Sequence, residues 1–331
     1  MNRSFVRSLW TQLAPLPPPT ADFTGKTVII TGGNRSLGFE AALHFVRLNA
    51  HKVILGCRNV GLGLESKVRI EETTNRTGVV EVWEIDLGIF SSVRSFCRRA
   101  TTLTRLDIVI ANAALKSSKY ACFEGYERQV TVNIISTWLM SLMLLPFMKQ
   151  TKDRFYQSSK DYPHLTIVSS NAHFYAPFES RKQDLILESL KGEPNMTFRY
   201  HDTKLISLLF SRAIADRMRS PGKELSVVLN MVDPGYCQSD LLRERPYPFP
   251  MNSILGVLYY VLARSAEMGS RTYIAAAKSG LESHGLYLED CVPSTPSVFV
   301  TSSEGQKAQQ RVFDELTSIL ETIEPGIMKG I

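Results

Sequence analysis

Short unbroken apolar runs alternate, from residue 27 almost to the end of the chain, with stretches in which apolar residues recur every three or four positions. Residues 28–30, Val-Ile-Ile, carry no polar alternation and predict a strand buried on both faces. They lead through Thr31, Gly32 and Gly33 into the periodic run 37–48, which predicts a helix. Further strands are expected at 51–57, 79–86, 106–114, 165–170, 225–232 and, shorter, 285–289. Helices are expected at 60–73, 90–103, 126–148, 200–218 and 265–279. Buried strands in regular alternation with helices predict an α/β fold, a doubly wound parallel sheet covered on both faces. In such a sheet the ligand crevice opens beyond the carboxyl ends of the strands. The polar and glycine residues where strands end are therefore the ones to question.

The ends of the chain follow a different pattern. In residues 1–22, Phe5, Leu9 and Leu13 recur at helical spacing, Arg3 and Arg7 are basic, and prolines from Pro15 to Pro19 close the segment. We expect a short docked helix and a stiff Pro-rich connector, although the lack of acids before Asp22 also suits a transit peptide. A single domain is expected over 23–291, followed by a tail over 292–331 whose helix, 305–321, is either packed on the body or disordered. The longest apolar run, 134–148, is interrupted by Ser136, Thr137, Ser141 and Pro146, so it reads as a buried helix rather than a transmembrane segment.

Composition narrows the function classes. With 331 residues and 44% hydrophobic content, the chain can bury one large core. The formal charge of +6 is mild, and Arg94, Arg98, Arg99 and Arg105 lack interleaved aromatics or glycines. They read as a solvated helix face, and no nucleic-acid partner is expected. Five scattered cysteines without a CxxC pair suit a reducing, cytoplasmic setting, and six dispersed histidines give no metal-ligand spacing. Of the glycosylation sequons, the one at Asn34 lies in the glycine-rich turn, where a glycan would block any ligand.

A buried strand, a glycine-rich turn and a helix N-terminus together form an anion site, because free N–H groups and the positive helix end point the same way. The turn residues Gly32, Asn34, Arg35, Ser36, Leu37 and Gly38 would face a diphosphate, or simply close a tight turn. Downstream, strand ends and flanking helices carry Asp86-Leu87, Asn112-Ala113-Ala114, Asn133, Ser170, Tyr200 with Lys204, and Pro234-Gly235 with Ser239. In this order the set resembles the short-chain dehydrogenases/reductases over about residues 26–291. TGGNRSLG is similar to their TGxxxGxG turn, Asn112-Ala113-Ala114 to their NAG element, Tyr200 to Lys204 to YxxxK, and Pro234 to Ser239 to PGxxxT. The resemblance implies a Rossmann fold with Asp86 at the adenine and catalysis by Asn133, Ser170, Tyr200 and Lys204. Two positions depart from the pattern. Ser36 replaces the second glycine, so its backbone must tolerate a β-carbon or adopt right-handed angles, and Ala111 and Ala114 replace the outer residues of NNAG.

The chemistry asks for the same residue types. Hydride transfer to a carbonyl needs a proton donor, and an unperturbed tyrosine, with a pKa of about 10, holds its proton firmly. Lys204 lies one helical turn after Tyr200, and its charge would favour the phenolate. Ser170 could orient the substrate oxygen, and Asn133 could hold a water that relays protons to Lys204. Taken singly, each residue also fits a plain structural role: a bonded core tyrosine, a surface lysine, a capping serine, a helix asparagine. The second strand ends in Gly56-Cys57-Arg58 with no acid for a ribose hydroxyl, and Arg35 lies in the turn, which the resemblance reads as NADP(H).

Two stretches, 171–199 with Phe174, Tyr175, Phe178 and Phe198, and 236–264 as a lid, are expected to shape an apolar pocket. Alternatively, that apolar surface touches a membrane or a second subunit. The pattern is most similar to retinol-dehydrogenase-like members and to reductases of fungal secondary metabolism. It implies ketone or aldehyde to alcohol interconversion on a hydrophobic small molecule, in secondary-metabolite biosynthesis. The competing reading is a catalytically silent NADP(H)-binding sensor or scaffold. Oligomeric state is left open.

Overall fold

The computed structural model describes residues 12, 14–157, 161–192, 196–219, 222, 224–242 and 262–331. Phe5, Leu9, Leu13 and most of the expected lid lie outside the described residues. The apolar runs become β1 (Thr27–Thr31), β2 (Lys52–Cys57), β3 (Val80–Glu84), β4 (Ile108–Ala111), β5 (His164–Val168), β6 (Val228–Asp233) and β7 (Tyr287–Glu289). The periodic stretches become α1 (Ser36–Arg47), α2 (Val60–Thr74), α3 (Phe90–Ala100), α4 (Arg128–Phe155), α5 (Arg199–Met218) and α6 (Ala266–Lys278). Beyond them come β8 (Val292–Ser294) and α7 (Ser303–Ile323).

The sheet has eight strands in the order β8-β7-β6-β5-β4-β1-β2-β3. All neighbours are parallel except β8, which returns antiparallel to β7 through a turn in which Asp290 and Cys291 both have positive φ. The order reverses at β1, which pairs with β2 on one side and β4 on the other, with Ile30 opposite Leu55 and Ile110. Ligands of such sheets sit beyond that reversal point. Side chains of β1 alternate between two cores. Ile29 joins the one built from α3, α4, α5 and α7, while Val28 and Ile30 join the one built from α1, α2 and α6. Apolar burial on both faces at about 25 cal/mol per Å² holds the layers together.

Several boundaries move for local reasons. Residues 126–127 do not open α4 but pair with Cys122–Phe123 as a small hairpin, and Glu127 caps the helix by accepting from the N–H groups of Gln129 and Val130. α4 then runs for 28 residues, longer than its apolar stretch suggested and long enough by length and composition to cross a membrane. Its most apolar window is 83% buried inside the protein, so the sheet is its solvent. Residues 292–331 supply an edge strand and α7, which buries Ala308, Val312, Leu316 and Leu320 in the α5-side core. Phe313 stacks on Phe210 of α5, with ring centroids 5.7 Å apart.

Candidate functional site

β1 ends at Thr31 and the chain turns through Gly32, whose φ of +66° suits a residue without a β-carbon. Gly38 packs so closely that a β-carbon there would lie 2.3 Å from the Gly32 carbonyl oxygen. Thr31 ties this turn to the one after β4, its Oγ1 accepting from the N–H groups of Asn112 (3.1 Å) and Ala113 (3.0 Å). Asn112 Nδ2 donates back to the Thr31 carbonyl at 2.8 Å, and the Tyr273 hydroxyl donates to Asn112 Oδ1 at 2.8 Å. Thr31 and Tyr273 were not among the expected site residues. Thr31 was visible within the glycine motif, but Tyr273 has only helical periodicity to mark it.

Ser36 resolves its alternatives by keeping the conformation of a glycine, with φ at +43° despite its β-carbon. The left-handed region costs an ordinary residue about 1–2 kcal/mol. Ser36→Gly is therefore expected to stabilise the protein by up to about 1 kcal/mol, read as a higher midpoint of chemical denaturation.

The N-terminus of α1 has no side-chain cap from its N-cap residue, a feature it shares with α3 and α5, whereas α2, α6 and α7 are capped by Asn59, Ser265 and Ser302. An N-terminus that no N-cap side chain occupies, at the end of a glycine turn, fits a diphosphate. Around them the Asn34 carbonyl accepts from Ser66 Oγ at 2.9 Å, and Arg58 is exposed just past β2. Arg35 Nη1 lies 3.7 Å from Asp240 Oδ2, and the Asp240 N–H donates to Ser36 Oγ at 3.3 Å. Through Asp240 the segment that contains Ser239 folds back onto the turn. Asp86 turns one carboxylate oxygen to the Gly88 N–H at 2.8 Å, and Leu87 is buried in the core, so only its backbone is offered to a ligand.

Tyr200, Lys204 and Ser170 come together below the end of β5. The Ser170 side chain lies near enough to the Tyr200 hydroxyl to favour its ionised form. Ser170 Oγ also accepts from the Ala172 N–H at 3.2 Å, so it caps a short helical turn as well. Lys204 Nζ donates to the Val168 carbonyl at 2.7 Å and lies 5.7 Å from the Tyr200 ring centroid. Asn133 sits in a π-helical turn, Thr131–Ser136, within α4. Its Nδ2 donates to the Leu115 carbonyl (2.8 Å) and to Thr203 Oγ1 (3.1 Å), and its Oδ1 accepts from the Leu115 N–H (2.7 Å). Both N–H groups of this amide thus brace the loop after β4 against α5.

Electrostatics also depart from expectation. Burial, not the Lys204 charge, dominates at Tyr200 and pushes its hydroxyl well above the usual range, with the nearby Ser170 side chain opposing and Asp233 adding to the rise. Burial likewise lowers the Lys204 ammonium to about 8, against the pull of Asp233. Asp233, fully buried before Pro234-Gly235, accepts from the Gly235 N–H at 2.9 Å and the Tyr287 hydroxyl at 2.8 Å, and burial raises it to about 6. Sequence reading missed it because an acid ending an apolar strand reads as a strand terminator. A tyrosine that keeps its proton at neutral pH, beside a serine that can orient an oxygen, can donate that proton to a developing alkoxide.

The short chain dehydrogenase family model matches residues 26–155, which include the turn, Asn112 and Asn133. The short chain dehydrogenase/reductase dmxR8 of Cryptosporiopsis sp. is 39% identical over 96% of this chain and 98% of its own length. The short chain dehydrogenase FGM9 of Gibberella zeae is 38% identical over 98% of this chain and 94% of its own. Among solved structures, the RhlG/NADP active-site complex of Pseudomonas aeruginosa has the same fold at a TM-score of 0.61, with 17% identity over 82% of this chain and 97% of that one.

Proposed function

The chain belongs to the short-chain dehydrogenase/reductase family, oxidoreductases that act on CH–OH groups, and we propose that it uses NADP(H) to interconvert a ketone or aldehyde with an alcohol. The observation that carries the reading is Tyr200 with the Lys204 ammonium 5.7 Å from its ring centroid and the Ser170 side chain acting on its hydroxyl. Gly32, Asn34, Ser36, Leu37 and Gly38 would hold the diphosphate, Asp86 the adenine, and Asn112, Ala113, Lys204, Pro234, Gly235 and Ser239 the nicotinamide end. When bound, the nicotinamide supplies or accepts the hydride. Ser170 orients the substrate oxygen, Tyr200 gives it a proton or takes one from it, and Lys204 holds positive charge below the tyrosine. Asn133 keeps α5 and the loop after β4 in register. The substrate is a hydrophobic small molecule, because Phe174, Tyr175 and Phe198 are exposed on the segments that flank Ser170 and Tyr200. The fungal sources of the relatives and the resemblance to fungal secondary-metabolism reductases support a role in secondary-metabolite biosynthesis. Consumption of NADPH in the presence of apolar ketones tests the reading. No consumption across a broad panel by a chain that binds NADPH would favour the silent sensor.

Arg35 and Arg58 would fork the 2′-phosphate, with Arg35 leaving Asp240 to do so. Removing one charge-assisted pair costs about 1.5–3 kcal/mol, so Arg35→Ala and Arg58→Ala should each weaken NADPH roughly tenfold or more. NADH affinity should barely change. Fluorescence titration of both nucleotides checks this, and NADPH affinity equal to the parent's in both variants would reject the assignment.

A further inference from the structure

Lys116 is a half-buried ammonium with no carboxylate partner among the described residues. It follows Leu115, whose backbone N–H and carbonyl are both gripped by Asn133, so the position of its backbone is set by the π-helical turn. Its Nζ lies 5.6 Å from the Tyr200 ring centroid, and Lys204 lies 5.7 Å from the same centroid. Two cations thus flank one tyrosine, but they differ in their surroundings. Lys204 donates to the Val168 carbonyl and is balanced by the Asp233 charge. Among the described residues Lys116 has neither: burial alone acts on it, lowering its affinity for a proton, and its charge is felt by His201.

Half-burying an ammonium without an oxygen to bond is costly. The Tyr200 face offsets part of that cost, but a ring face is not an ionic partner. Among the described residues no carboxylate takes that place, and the ring beside Lys116 is the one that serves the substrate carbonyl, so the substrate itself is the candidate partner. The diphosphate turn is at the end of β1, whereas Lys116 is on the loop after β4, at the ring that serves the substrate carbonyl. We propose that Lys116 selects substrates that carry an anionic oxygen close to the reacting carbonyl, a carboxylate or an ionised acidic enol or phenol. This rests on the reductase reading and narrows its substrate class from apolar ketones to acidic ones with an apolar body. His201 adds to the selection, because Nδ1 of this neighbouring ring is buried without a hydrogen-bond partner and carries no negative charge to compete for the ammonium.

The test compares matched ketones with NADPH: an aryl keto acid with its methyl ester, and an aryl ketone bearing an acidic phenol with its methyl ether. The parent protein should favour the acidic member of at least one pair tenfold or more in kcat/KM, and the pair that responds tells carboxylate from enol or phenol. Lys116→Met should lower that acidic-to-neutral ratio tenfold or more, whereas Lys116→Arg should keep it. A parent that reduces acidic and neutral members alike, or a Lys116→Met ratio equal to the parent's, overturns the proposal and leaves the reductase reading intact. If no ketone is reduced although NADPH binds, the reductase reading fails instead. Calorimetric titration of the same pairs into the NADPH complex then decides the Lys116 question, and equal affinities within each pair reject it.

Discussion

Tyr200→Phe is expected to slow ketone reduction by 10²–10⁴-fold while NADPH affinity stays near that of the parent. The substitution keeps the ring, its burial and its contact with both lysines, and removes only the hydroxyl. General acid catalysis contributes about 10²–10⁴-fold. Loss of one hydroxyl should cost at most about 1 kcal/mol of stability, so folding is spared. Lys204→Met should damage turnover as well, but it should also weaken NADPH, because the ammonium is expected to reach the nicotinamide ribose. The contrast between the two variants separates proton donation from cofactor anchoring. Single-turnover reduction by Tyr200→Phe at the parental rate would place the donor elsewhere and remove the mechanism.

Gly38→Ala should strike the cofactor turn hardest. Its new methyl would sit 2.3 Å from the Gly32 carbonyl oxygen and 2.8 Å from Asn112 Nδ2, so α1 must move away from β1. Overpacking of this kind costs about 1–3 kcal/mol. The same movement pulls the first-turn N–H groups out of line, and NADPH affinity should fall tenfold or more. Gly61→Ala is the matched control: it lies exposed in the first turn of α2, where the added methyl meets only Asn59 Oδ1 at 3.4 Å. That change should be neutral or stabilise by up to about 1 kcal/mol through helix propensity. Denaturation midpoints and NADPH titrations on the pair check both statements, and a Gly38→Ala protein that binds like Gly61→Ala would show that the turn has slack.

The parallel strands were legible because a strand buried on both faces has no polar positions to confuse it, as in β1 and β2. The start of α4 was not, because Tyr126 and Glu127 have apolar and polar spacing that serves a hairpin as well as a helix. β8 was missed since it is an exposed, three-residue edge strand whose register comes from its turn. At the site, residues that announce themselves by type and spacing, such as Tyr200 with Lys204, were readable. Residues that act through a neighbour were not. Thr31, Asp233 and Tyr273 matter by the bonds they make across the sheet, and no local pattern encodes a partner more than fifty positions away. The direction of the Tyr200 shift was likewise hidden, because burial is a property of the assembled core.

The docking of α7 on α5 has a consequence for how the protein is made. α5 ends at Met218 and α7 begins at Ser303, so roughly 85 residues, or about 4–17 s at 5–20 residues per second on the ribosome, separate the two surfaces. During that interval the apolar flank of α5 and the far side of α4 face solvent or a chaperone. The last closures come late too: Arg94 donates to the Ile323 carbonyl and Lys149 to that of Gly330. A nascent chain that stalls before Ser303 should therefore be a substrate for holdases and proteases even though every residue of its catalytic set has already been synthesised.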